Sequence, residues 1–202
     1  MSEYAPYLIC LDVGGTSTKS GVVCQGQADD LSVKNQPIDT RGPKDAVLDA
    51  LAVIVRQYIA AQPPTGVAIA FPSPFDYDEG ICRIKDQFKF DNLYDINIRD
   101  ALCERLDFSG DMIRFRNDAE AAIVGECIFG AGRSYCRVIG ITLGTGLGSS
   151  LVADGVRQTS GPGVPDYNDG FLFLETYQGD RVDDVFSKRG LEGRLAAACR
   201  LF

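Results

Sequence analysis

Short apolar runs alternate with polar, glycine-marked breaks along the chain, and the spacing of the apolar positions changes from one stretch to the next. Tyr7–Val13 (YLICLDV) is an apolar run that stops at Gly14-Gly15, the pattern of a strand entering a tight turn. Ser20–Cys24 follows within a few residues, so the two make a hairpin, and Leu31–Ile38 adds a third strand. Over Asp45–Ala61 the period lengthens, and Val47, Leu51, Ile54, Val55 and Tyr58 fall on one helical face. Pro63-Pro64 ends that helix. Gly66–Phe71 reads as a buried strand closed by Pro72-Ser73-Pro74, and the polar, aromatic stretch Phe75–Asn97 as a long loop. Ile98–Leu106 is a short helix, Met112–Phe115 a strand, and Asp118–Ile128 a helix with Asp118 at or near its N-cap. After a break at Gly130–Arg133, Val138–Leu143 and Leu147–Ala153 form a second hairpin. Gly155–Gly170 is irregular, Phe171–Leu174 reads as a strand and Val182 onward as helix.

The two hairpins resemble each other. ICLDVGGTSTKSGVV from Ile9 superposes on IGITLGTGLGSSLVA from Ile139 at a shift of 130 residues, which sets Gly14 on Gly144. The first copy reads β-β-β-α-β-α-β-α, and the second begins the same way and remains incomplete. This predicts two α/β domains, 1–117 and a partial 118–202.

Composition narrows the chemistry. Hydrophobic residues at 45% and charged residues at 24% of 202 describe a globular chain. No apolar run approaches a membrane span, and the N-terminus lacks the pattern of a signal peptide, so a cytoplasmic protein is expected. A net charge of 20 − 28 = −8 argues against nucleic acid as a partner. The absence of histidine removes Ser-His-Asp and Cys-His machinery and histidine-bound zinc, which leaves a carboxylate as base. Seven cysteines without a C-x-x-C pair read as reduced structural thiols.

A glycine turn between two strands exposes backbone N–H groups that can surround a phosphate, because glycine lets the backbone approach the ligand closely. Gly14, Gly15 and Thr16 in the first turn, and Gly144, Thr145 and Gly146 in the second, are candidates for this role. The hydroxyls of Thr16, Ser17, Thr18 and Thr145 add donors. Asp12, just before the first turn, is placed to hold a hydrated Mg²⁺, and Lys19 to act as a phosphate point charge or to face solvent. Glycines that simply close hairpins are the plainer explanation for one such turn; two matching turns weaken it.

These parts together resemble the ROK family of sugar kinases within the actin/hexokinase/Hsp70 superfamily. LDVGGTSTK (Leu11–Lys19) is similar to the superfamily's first phosphate loop and ITLGTGLGSS (Ile141–Ser150) to its second. RNDAEAAIVGE (Arg116–Glu126) resembles the family's N-D-A-x-A-A-x-x-G-E segment, and AFPSP (Ala70–Pro74) its F-P-G-P turn beside the sugar. The resemblance implies a ribonuclease-H-like fold and phosphoryl transfer from ATP, with Mg²⁺, to a hexose hydroxyl. Asp118 would be the general base, and Asn117, Asp118 and Ser73 would contact the sugar. An N-cap role for Asp118 is compatible with that. Glu120 is expected to be solvated, Glu126 to brace the turn at Gly125, and the aromatics of Phe75–Tyr94 to pack their loop onto the domain.

The sequence departs from the family in lacking the E-x-G-H segment and the histidine–cysteine zinc motif, so no zinc is expected. Asp166, Asp169 and Glu175 are the candidates to replace the missing glutamate. Family members commonly reach about 300 residues and carry an adenosine-contacting segment beyond the point where this sequence stops. Either the sequence is a fragment, or another chain completes the nucleotide site; association, as a homodimer, is the expectation in the second case. A sugar sensor of the kind found in ROK repressors and a polyphosphate-dependent glucokinase are the competing functions.

Overall fold

The computed structural model describes residues 5–60, 63–144, 146–158 and 176–186. Two compact units, Met1–Asp118 and Ala119–Phe202, divide the chain.

The first unit runs β1 (Tyr7–Val13), β2 (Ser17–Cys24), β3 (Gln27–Pro37), α1 (Lys44–Arg56), β4 (Gly66–Phe71), the short pair β5 (Phe75–Asp76) and β6 (Ile81–Cys82), α2 (Ile98–Leu106) and β7 (Ile113–Asn117). Five of the strands form one mixed sheet in the order β3-β2-β1-β4-β7. The three N-terminal strands pair antiparallel, while β4 and β7 join β1 in parallel. This α/β architecture is the expected one. Strand alternation buries Ile9, Leu11 and Val13 of β1, which share a core with Val47, Leu48, Leu51 and Val55 of α1 and with Ile98 and Leu102 of α2. Arg105 of α2 grips Asp45 and Asp49, one turn apart on α1, at 2.8 and 2.7 Å. Exposed pairs of this kind contribute about 0–1 kcal/mol each, so the apolar core carries most of the attachment.

Local chemistry sets the boundaries. Asn97 caps α2, its Oδ1 accepting the Asp100 N–H at 3.0 Å. The helix closes at Asp107, in the left-handed region at φ 57°. α1 is shorter than its apolar spacing predicts, ending at Arg56. There the Tyr58 and Ile59 amides bond to Val55 and Arg56, three residues back, which tightens the last turn. The Tyr58 hydroxyl is drawn to Ser20 Oγ (2.8 Å) and donates to the Ser32 carbonyl (3.0 Å), so the residue tethers the helix end to the sheet.

Three strands also differ from expectation. β2 begins at Ser17, β3 at Gln27, and β7 runs on to Asn117. The pairing of β2 with β3 shifts between Ser20 and Val22, so that Asp30–Val33 bulges out opposite Gly21. Leu31 stands 97% exposed on this bulge, which blunts an edge strand. The stretch 75–97, expected as a loop, holds the β5–β6 hairpin and supplies Phe75, Cys82, Ile84, Phe90 and Leu93 to the core. The Asp91 carboxylate fastens it by accepting the Gln87 and Phe88 amides, each at 3.1 Å.

α3 (Asp118–Phe129) starts on the last residue of the first unit and lies otherwise in the second, followed by β8 (Arg137–Leu143), β9 (Leu147–Ala153), β10 (Val156–Arg157), β11 (Thr176–Tyr177), β12 (Asp180–Arg181) and α4 (Val182–Phe186). β10, β9 and β8 form an antiparallel sheet, and β11 pairs with β12. A Cβ on Gly140 would lie 1.9 Å from Ile123 Cδ1, and one on Gly148 2.6 Å from Ala119 Cβ. Both glycines therefore let α3 lie close against the hairpin. Glu120, expected to be solvated, is instead largely covered and paired with Arg157 at 2.9 Å. Glu126 braces a later turn than Gly125: its Oε2 accepts the Ala131 N–H, and its carbonyl accepts those of Gly130 and Gly132. The expected strand Phe171–Leu174, the candidates Asp166, Asp169 and Glu175, and Cys199 lie outside the described residues.

The hairpin likeness holds for one strand and slips in the other. Val13↔Thr18 encloses four residues in the first turn, whereas Leu143↔Leu147 encloses three in the second. A shift of 130 keeps β1 on β8 and leaves β2 one residue out of step with β9.

Candidate active site

Parallel strands deliver their C-terminal residues to one end of a sheet, and in open α/β sheets that end is where ligands bind. Here β1, β4 and β7 bring Asp12, the Phe71–Ser73 segment and Asn117 to the same end of the first unit. The register pairs Asp12 with Ala70, Ala70 with Arg116, and Phe71 with Asn117. On the other side of Asp12, β2 places Lys19 directly opposite it, and both side chains are exposed. Asp12 is thus flanked by Lys19 one strand away and Arg116 two strands away, with only the small Ala70 between Asp12 and Arg116.

The first glycine turn is held by hydrogen bonds from three directions. The Gly14 N–H donates to the Ser17 carbonyl at 2.9 Å, the Ile38 N–H to the Thr16 carbonyl at 3.1 Å, and the buried Thr40 Oγ1 to the Gly15 carbonyl at 2.8 Å. This corrects the sequence reading in two places. The Gly14 amide closes the turn, so Gly15 and Thr16 remain the candidates there. Thr18 is fully buried, so its hydroxyl faces the core, where Oγ1 has no hydrogen-bond partner. A Cβ at residue 14 would lie 2.9 Å from the Ser17 carbonyl oxygen, which explains the glycine there.

At the ends of β4 and β7 the Asn117 Nδ2 donates to the Tyr77 hydroxyl at 3.1 Å, and that hydroxyl donates to the Phe71 carbonyl at 3.0 Å. Asn117 is half-buried, as are Ser73 and Asp118. Asp118 is the first residue of α3, in keeping with its expected place at the helix start. The next residue, Ala119, is the one that packs against Gly148. In the second unit, the Gly144 N–H donates to the Gly146 carbonyl at 3.0 Å, so this turn too is closed by its first glycine. Thr145 lies outside the described residues.

No group of three or more Cys, Asp or Glu able to hold a metal ion occurs among the described residues. The donor set at Asp12 is a single exposed carboxylate. That suits Mg²⁺, which keeps several of its waters and takes one or two carboxylates together with substrate phosphates. No described helix is long and apolar enough to cross a membrane.

Asp12, Gly14, Gly15, Thr16, Lys19, Ser73, Asn117 and Asp118 thus belong to the first unit, and Gly144 and Gly146 to the second. Arg116, Tyr77 and Thr40 were not singled out from the sequence. Strand register alone reveals Arg116, by counting along β1, β4 and β7. Tyr77 and Thr40 act through contacts between residues about 40 and 25 positions apart, which no local spacing announces.

Residues 8–165 match the model of the ROK family. The glucokinase of Thermotoga maritima is 30% identical over 159 residues, 78% of this chain and 48% of that protein. The chain therefore spans about half the length of this curated relative. Among solved structures, a ROK family glucokinase from Streptomyces griseus in complex with glucose and AMPPNP superposes with a TM-score of 0.71 at 24% identity, covering 96% of this chain and 62% of that one. A ROK family transcriptional regulator, a homologue of the Escherichia coli Mlc protein, gives 0.72 at 17% identity, covering 98% and 50%. At these identities the two structures attest a shared fold.

Proposed function

The chain belongs to the ROK family, and from that footing we propose that the protein is a sugar kinase transferring a phosphoryl group from ATP to a hydroxyl of a glucose-like hexose. The observation that carries this reading is the Asn117-Asp118 pair where β7 meets α3, within a segment like that of the family's kinases. Asn117 and Asp118 would bind neighbouring sugar hydroxyls, with Ser73 after β4 as a further contact. Asp118 would take the proton of the attacking hydroxyl, a contribution on the order of 10²–10⁴-fold. The Gly15 and Thr16 amides, the Thr16 hydroxyl and Lys19 would hold phosphate oxygens, as would the turn at Gly144, Thr145 and Gly146. Mg²⁺, held through water by Asp12, would offset phosphate charge during transfer.

Glucokinase relatives at 30% identity support the substrate class, and the Streptomyces griseus complex with AMPPNP supports ATP as donor. The proposal extends to a cytoplasmic protein acting as a homodimer. Ile139, Ile141 and Leu143, all more than half exposed along β8, form the kind of apolar surface that monomers rarely leave bare.

The test is ADP release from ATP and Mg²⁺ by the full-length protein across a panel of hexoses and N-acyl hexosamines. Release with one sugar supports the kinase. A sugar that binds without ADP release would favour the sensor reading, which the regulator's fold accommodates equally well. Turnover with polyphosphate in place of ATP would correct the donor.

A further inference from the structure

Resting on the proposal that ATP is the donor and Asp118 the base, we infer that Arg116 binds the phosphoryl group as it is transferred. Within Met1–Asp118, every arginine from Arg41 to Arg114 directs its guanidinium at a protein oxygen. Arg83 and Arg105 pair with aspartates. Arg41, Arg56, Arg99 and Arg114 donate to backbone carbonyls. Arg116 is exposed and, among the described residues, has no hydrogen-bond or ion-pair partner. In a chain with 28 acidic residues against 20 basic ones, an arginine left without an oxygen beside it is the exception.

Its place in the sheet says what it faces. Alternation along β7 buries Ile113 and Phe115 and turns Arg114 and Arg116 to the opposite face. Register carries that face across the strand ends, with Arg116 beside Ala70, Ala70 beside Asp12, and Asp12 beside Lys19. Two strand spacings, about 10 Å, separate Arg116 from Asp12, and only the methyl of Ala70 stands between them. The row therefore has a donor end and an acceptor end. Lys19 and Asp12 flank the first glycine turn, the proposed place of the nucleotide phosphates. Arg116 precedes Asp118, the proposed place of the sugar hydroxyl, by two residues, at most about 7 Å of chain. The group that lies between those phosphates and that hydroxyl is the γ-phosphoryl.

The chemistry suits a guanidinium. During transfer the sugar oxygen bonds to the γ-phosphorus, the bond to the β,γ-bridging oxygen breaks, ADP departs, and the hydroxyl proton passes to Asp118. Negative charge is spread over the three equatorial oxygens of the moving group. Arginine presents a planar fork of N–H donors that matches two such oxygens, and it stays charged at any working pH.

The experiment measures, by calorimetry with Mg²⁺ present, the binding of ADP and of AMPPNP to the full-length wild-type protein, to Arg116→Gln and to Arg114→Gln. AMPPNP carries a γ-phosphate that is not transferred, so binding is read without turnover. Arg116 has no partner to lose, so Arg116→Gln is expected to keep the wild-type melting temperature. Its affinity for AMPPNP is expected to fall on the order of 10–100-fold, with that for ADP within about threefold. Arg114, two residues earlier on the same strand and face, controls for charge alone, and Arg114→Gln should leave both affinities within about threefold. Equal losses for ADP and AMPPNP, the same loss in Arg114→Gln, or no loss at all would overturn the inference. A wild type that binds hexose but not AMPPNP would instead overturn the ATP reading beneath it.

Discussion

Cys82 sits fully buried at the end of β6, and burial pushes its thiol up to about 11 from an ordinary value of 9.0. In the unfolded chain the thiol ionises near its ordinary value. Between about pH 9 and 11 the unfolded state has therefore lost a proton that the native state keeps. This contribution to stability is fully present below pH 9 and declines as pH rises, by about 2–3 kcal/mol in total. Denaturant titrations at pH 8, 9.5 and 11 should show it as a steeper alkaline decline in the wild type than in Cys82→Ala. Tyrosine and lysine titrate in both proteins and cancel in the difference. Parallel declines would show that the thiol does not titrate with the fold.

Thr40 tests the phosphate loop at the same scale. Thr40→Val keeps the shape and removes the bond to the Gly15 carbonyl, at an expected cost of about 1–3 kcal/mol. The KM for ATP should rise while hexose affinity holds, and Thr40→Ser should restore it. A variant that loses stability with both affinities unchanged would make Thr40 a core residue without influence on the loop. Asp12 could be singled out in the sequence because a glycine turn follows it, and Asn117 and Asp118 because their segment resembles that of the family's kinases. Thr40 and Tyr77 could not, because a hydroxyl that reaches across about 25 or 40 residues leaves no local pattern.

Among elements, α3 and the β8–β9 hairpin show what periodicity misses. Their existence could be read from the sequence, but the reason for glycine at 140 could not. Gly140 faces the buried Ile123, so Gly140→Ala forces a methyl into occupied space and should cost about 1–3 kcal/mol. Combining it with Ile123→Val should cost less than the sum of the single changes, because the second removes a methyl where the first adds one. Additive melting temperatures would show that the helix shifts to make room. The α1 end and the 75–97 stretch failed for a related reason. Tyr58 fits a helical period yet is held by its hydroxyl, and Phe75, Cys82, Ile84, Phe90 and Leu93 reach the core without following either period.

The whole molecule carries family membership over residues 8–165 and about half the length of the Thermotoga maritima glucokinase it matches. Two glycine turns made the family resemblance legible, while the one-residue difference between the turns shows that the likeness is looser than a single shift suggests. At this scale the central claim is that Asp118 acts as a base on a bound sugar rather than only as the start of α3. The most direct measurement pairs full-length wild type with Asp118→Asn, following sugar phosphate by mass spectrometry with ATP and Mg²⁺, and sugar affinity by calorimetry. The variant is expected to stay folded and bind the hexose within about tenfold, while phosphoryl transfer falls on the order of 10²–10⁴-fold. Equal turnover by the two proteins would contradict it.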